Sequence, residues 1–205
     1  MTGVQTCALP IYLLSSNNVD IVVEAASQDA VKNHALSILQ NKKDLLIMSV
    51  GALLDESVFD ILIDACEEFK KKIYLPSGAI AGLDAIKSVK NELESVSLIT
   101  TKNPKALTGA KFFETKKIDI DSIRQKTIIF EGSAKEAVNL FPANINVAAL
   151  LSLAGLGSTK TVVKIVADPL TEKNTHQIEA QGKLDRKSTR LNSSHIPLSR
   201  MPSSA

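Results

Sequence analysis

Asp168, Asn174 and His176 fall within one short run, Ala167 to Ile178. An imidazole titrates at about pH 6.5, so His176 can take or give a proton at working pH. Asp168 stands where the β-branched segment Val162–Ala167 stops at an Asp-Pro step. From there its carboxylate could orient the ring; the plainer reading is that it only closes the strand. The polar stretch that follows is expected to form a loop presenting Asn174 and His176, and loops at strand ends are where ligands are commonly met. The plain alternative for His176 is a surface histidine with no role.

The elements that must position these groups alternate. Val19–Ala25 reads as a short buried strand. Ser27 or Asp29 caps a helix through Gln40, with Val31, Ala35, Ile38 and Leu39 on one face. Asp44–Val50 reads as a second strand, closed by Gly51. A helix capped by Asp55 follows, with an apolar stripe of Val58, Ile61, Leu62, Ala65 and Phe69 and with Lys70, Lys71 and Lys72 in its last turn. Ile73–Pro76 is a third strand. Strands and helices joined this tightly predict a parallel, doubly wound α/β sheet of Rossmann type. Cys66 reads as a packing residue and His34 as exposed.

Beyond Ser77–Gly82 the pattern changes. Leu83–Leu93 looks helical, Ser95–Thr101 alternates like a half-buried strand, and Ile118–Gln125 is a short helix or loop. Thr127–Glu131 is a strand, Ser133–Leu140 and Asn146–Leu156 are helices, and Thr161–Ala167 leads to the histidine run. These elements predict a second, α+β catalytic domain on a mixed or antiparallel sheet. The expected domains are therefore 12–77 and 78–184.

In doubly wound sheets ligands lie at the carboxyl ends of the strands. Three strands here end in small-residue turns: Ala25-Ala26-Ser27, Ser49-Val50-Gly51-Ala52 and Ser77-Gly78-Ala79-Ile80. Small residues let a ligand approach the backbone, whose N–H groups could bind it. Ala26, Ser27, Ser49, Val50 and Gly51 are thus candidate cofactor contacts. The Gly-x-Gly-x-x-Gly phosphate fingerprint is absent. Gly155–Lys160 lacks the Walker spacing and reads as a helix stop. No metal site is expected.

The two ends read differently from the rest. Met1–Ile11 and Asp185–Ala205 resemble the translation of short-read sequencing adapters, so the fold is expected from residues 12–184. The whole sequence has 24 basic and 22 acidic residues. Setting aside Arg186, Lys187, Arg190, Arg200 and Asp185 leaves 20 against 21, a balance of −1. That removes any charge argument for nucleic acid or membrane binding. With Cys7 also set aside, Cys66 stands alone, as suits a reducing cytoplasm. No apolar run approaches the roughly 18 residues of a membrane span.

Five runs together carry a family resemblance: VVEAASQDAV (Val22–Val31), SVGALLD (Ser49–Asp55), PSGAIAGLDAI (Pro76–Ile86), FEGSAKEAVNLFPANINVAA (Phe130–Ala149) and ADPLTEKNTHQIEAQG (Ala167–Gly182). In this order they resemble L-aspartate dehydrogenase. The resemblance implies NAD- or NADP-dependent oxidation of L-aspartate to iminoaspartate, then oxaloacetate and ammonia, in the supply of NAD biosynthesis. It also implies His176 as the catalytic histidine, Asn146 as a cofactor contact, and an amide of Ala79 or Ile80 at the nicotinamide end. The family's first strand and Gly-x-Gly turn are missing upstream of Tyr12, and its last segment is missing too, so the piece is expected to be inactive alone. A homodimer is a further expectation. Two other readings stand beside this one. One is a different two-domain oxidoreductase resembling dihydrodipicolinate reductase, although the paired histidines of that family are absent. The other is a truncated domain without function.

Overall fold

The computed structural model describes residues 18–78, 80–141, 145–183 and, as backbone, 185–194. The chain divides into two compact units, Met1–Pro76 and Ser77–Ala205.

In the first unit, strands β1 (Ile21–Glu24), β2 (Asp44–Ile47) and β3 (Ile73–Tyr74) form a parallel sheet in that order. Helix α1 (Gln28–Gln40) joins β1 to β2, and α2 (Glu56–Phe69) leads to β3. The Ser27 hydroxyl accepts the Ala30 amide at 3.1 Å and starts α1. Its apolar positions recur at helical spacing, and Val31, Ala35, Ile38 and Leu39 are all buried, as the sequence predicts.

The unit departs from expectation in its details. The second strand ends at Ile47, and Val50–Leu54 instead forms a buried 3₁₀ turn. Helix α2 buries Leu62 and Ala65, but Ile61 is exposed. The buried stripe of α2 is narrower than the apolar spacing predicts. Lys70 lies outside the helix, as its left-handed C-cap with φ 53°. Asp55 holds the N-cap position, and its carboxylate takes Ser57 Oγ at 2.7 Å and Lys32 Nζ at 3.0 Å. These two partners hold the acid below its ordinary value.

Leu45 and Ile47 are wholly buried on one face of this sheet, whereas Ile21 and Val23 of β1 are 45% and 59% exposed on the other. Parallel sheets ordinarily bury both faces. Among the described residues, helices cover the face of Leu45 and Ile47.

The second unit is built on a five-stranded mixed sheet in the order β5-β6-β4-β7-β8. Its strands are β4 (Leu93–Lys102), β5 (Thr127–Ser133), β6 (Thr161–Ala167), β7 (Thr175–Gly182) and β8 (Asp185–Ser194). β4 runs parallel to β6 and antiparallel to β7. The helices are α3 (Leu83–Ser88), α4 (Lys111–Lys116), α5 (Ala134–Leu140) and α6 (Asn146–Ala154).

Leu83–Leu93 is thus two pieces, α3 and a 3₁₀ turn, and α4 was not anticipated. α4 is only six residues long, too short to show a helical period. Asp185–Ser194, set aside as adapter-like, pairs antiparallel with β7 as β8. Ladder hydrogen bonds come from the backbone, so polar sequence of this kind can still pair along an edge.

Val96, Leu98 and Thr100 alternate inward on β4 and are buried. Gly155, at the end of α6, packs against Val96 on this face: a Cβ there would meet Val96 Cγ2 at 3.5 Å. Phe112, Phe113, Phe130 and Phe141 close a second part of the core, Phe112 stacking on Phe141 at 5.1 Å between centroids. Among the described residues no helix is long and apolar enough to cross a membrane.

Candidate active site

His176 is the second residue of β7, and it is buried. The expectation of a loop histidine is therefore corrected. The alternation of Thr175–Gly182 continues one step further back than the polar composition before it suggested, and pairing with β4 makes Thr175 and His176 part of the ladder. His176 stands opposite Thr100 in the register. Thr100 Oγ1 lies 3.0 Å from His176 Nδ1. Cross-strand partners share a face, so the contact follows directly from the pairing. With Nδ1–H donating to the hydroxyl, Nε2 carries the lone pair and can act as a base.

For Asp168 the sequence left two readings, orienting the ring or closing the strand. The structure gives Nδ1 the Thr100 hydroxyl instead. The Asp168 carboxylate accepts the Leu170 amide at 3.0 Å, closing the turn after β6. This is the strand-closing reading: an Asp before Pro bonds its own backbone two residues on. Asn174, half buried, precedes β7.

Thr100 escaped the sequence reading, although a signal was present. In the alternation Val96, Leu98, Thr100, Lys102, a hydroxyl occupies a position whose two predecessors face the core. Lys102 lies next along this face and is partly buried, and desolvation pushes its ammonium pKa down.

The first unit holds a polar centre of its own, around Glu24. This carboxylate ends β1 with 9% exposure. Oε1 accepts the amides of Ala26 at 2.7 Å and Ser27 at 2.9 Å and the Ser49 hydroxyl at 3.0 Å, while Oε2 accepts the Ser49 amide at 2.9 Å. Ala26, Ser27 and Ser49 were candidate cofactor contacts on the ground that their amides could bind a ligand. Glu24 occupies those amides, so that reasoning is corrected: the turns are tied to each other by a side chain. Val50 and Gly51 lie buried in the 3₁₀ turn rather than on an open strand end. A charged residue closing an apolar strand was the available signal for Glu24, because a buried carboxylate demands donors.

The remaining cofactor candidates lie in the second unit. Ile80 is buried, and its amide donates to Ser77 O at 3.2 Å within the turn. Ala79 lies outside the described residues. Asn146 opens α6 and is half buried. A nicotinamide needs an amide donor and acceptor, and the Asn146 side chain is of that kind.

Residues 84–204 match the model of the aspartate dehydrogenase C-terminal domain, and residues 1–76 match the NAD-binding domain of homoserine dehydrogenase. The chain is 72% identical over 172 residues to an L-aspartate dehydrogenase of Nitrosopumilus maritimus, covering 84% of this chain and 63% of that protein. A second relative, an L-aspartate dehydrogenase of Methanococcoides burtonii, is 45% identical over 181 residues, covering 88% and 67% of the two chains. The chain thus spans about two thirds of the length of these relatives. The crystal structure of an aspartate dehydrogenase from Thermotoga maritima superposes with a TM-score of 0.72 at 35% identity, covering 86% of this chain and 68% of that one. These matches do not favour the reductase-like alternative. Over both of its units, by sequence and by fold, the chain belongs to the aspartate dehydrogenase family.

Proposed function

We propose that the full-length protein carrying this sequence oxidises L-aspartate to iminoaspartate with NAD or NADP, and that water then converts the imine to oxaloacetate and ammonia. The observation that carries this reading is the buried His176 imidazole, with Nδ1 held by Thr100 at 3.0 Å, in a chain of this family. The nicotinamide, when bound, accepts the hydride that leaves Cα. Nε2 of His176 takes the proton that the substrate amine must lose, or the proton of the attacking water. Thr100 holds the ring in place through Nδ1. Burial of the pair keeps bulk water from competing for the proton. Asn146 and the turn at Ile80 serve the nicotinamide end, and Asp168 supports the turn after β6.

The test is NADH or NADPH formation from L-aspartate by the full-length protein and by His176→Ala. Removal of an acid–base group of this kind lowers turnover by roughly 10²- to 10⁴-fold, with cofactor binding retained by fluorescence titration. Wild-type turnover in the variant would remove His176 from the chemistry.

A further inference from the structure

We propose that Lys102 is a substrate-binding residue, its ammonium holding a carboxylate of the dicarboxylate whose amine His176 serves. This rests on the proposed function and adds the group that would recognise the acid.

The placement follows from the ladder. Thr100 pairs with His176 across β4 and β7. Lys102 is two residues further along β4, so its side chain leaves the same face as Thr100. It is therefore the diagonal neighbour of His176, with Cα atoms roughly 7–8 Å apart. A lysine spans much of that distance with its four-carbon stem. Amine and carboxylates sit only a few bonds apart in aspartate, so one molecule can meet both side chains.

The neighbouring strand fixes where the side chain starts. On the other side of β4, Lys102 pairs with the fully buried Ala167. The Lys102 carbonyl accepts the Asp168 amide at 2.8 Å, so its backbone is fixed where β4 and β6 end together. Burial weakens the hold of the ammonium on its proton, and an arriving carboxylate would reverse that loss. Charge-assisted hydrogen bonds are the strong ones, and one at this position would discriminate for an acid over a neutral amine.

The experiment uses the full-length protein with Lys102→Met and Lys102→Arg. Loss of a hydrogen bond to a charged group predicts a KM for L-aspartate raised roughly 10- to 100-fold in Lys102→Met. The cofactor KM and the melting temperature should be unchanged, and Lys102→Arg should recover most of the affinity. Binding is read separately, from the shift of the His176 ring signals as succinate is added. A shift in wild type that is lost in Lys102→Met supports the carboxylate subsite even if no L-aspartate is oxidised, and in that case the proposed reaction fails instead. Equal succinate binding by both, with KM unchanged, overturns the subsite and leaves the reaction standing. A raised KM matched by a lowered melting temperature, with no recovery in Lys102→Arg, also overturns it, because a packing role alone would do that.

Discussion

Thr100 Oγ1 and His176 Nδ1, 3.0 Å apart, join the central strand of the second sheet to its neighbour through a side-chain contact on the buried face. The contact holds the imidazole by Nδ1 and so fixes the plane in which the ring stands.

Thr100→Val keeps the β-branched shape and removes only the hydroxyl. Loss of one neutral hydrogen bond lowers kcat by several-fold to about tenfold. The cofactor KM should not change, because the substitution alters only what holds the ring. Steady-state kinetics on the full-length protein decides this, and an unchanged kcat would show that the threonine plays no part in orienting the imidazole.

Glu24 ties the ends of β1 and β2 together through four hydrogen bonds. Glu24→Gln replaces one acceptor oxygen by a donor that faces other donors. The expected cost is about 1–3 kcal/mol, read as a lower urea midpoint with an unchanged slope. A change below about 0.5 kcal/mol, the range of ordinary surface substitutions, would show that the turns do not depend on this carboxylate.

At the start of α5, Glu136 Oε2 accepts the Ser133 amide and hydroxyl, both at 2.8 Å, while Ser133 Oγ accepts the Glu136 amide at 3.2 Å. These bonds to the charged form hold the Glu136 carboxyl below its ordinary 4.5, the backbone amide of Ser133 contributing most. A carboxyl depressed on folding stabilises fully above its unfolded value, and the stabilisation is lost as pH falls through the folded one. The α5 cap should therefore weaken only in acid, below about pH 4.5. An NMR titration of the Glu136 side chain checks it: in Ser133→Ala the midpoint should move back up. An equal midpoint in both proteins would break the link between the box and the acid.

The sequence made the helices and strands of both units legible where period and cap agree, as in α1, with Ser27 at its start and four apolar positions on one face. It misled where tertiary context decides. Ile61 fits a helical stripe, yet its side chain lies exposed. His176 follows a polar stretch and reads as loop, yet β4 draws it into a ladder. The site was half visible: a histidine stands out by type, whereas Thr100 is an ordinary residue whose importance comes from facing inward. Glu24 was hidden for the opposite reason, because the turns it holds suggested amides open to a ligand, and only coordinates reveal that a side chain already fills them.

The two halves of the Thr100–His176 contact are 76 residues apart in the chain. At the usual pace of translation, Thr100 is added to the chain roughly 4–15 s before His176. For most of that interval neither β6 nor β7 has been made, and the inward Val96 and Leu98 of β4 have no sheet to join. A protein built this way assembles the Thr100–His176 pair only when β7 docks on β4, so a half-made or partly unfolded chain lacks it.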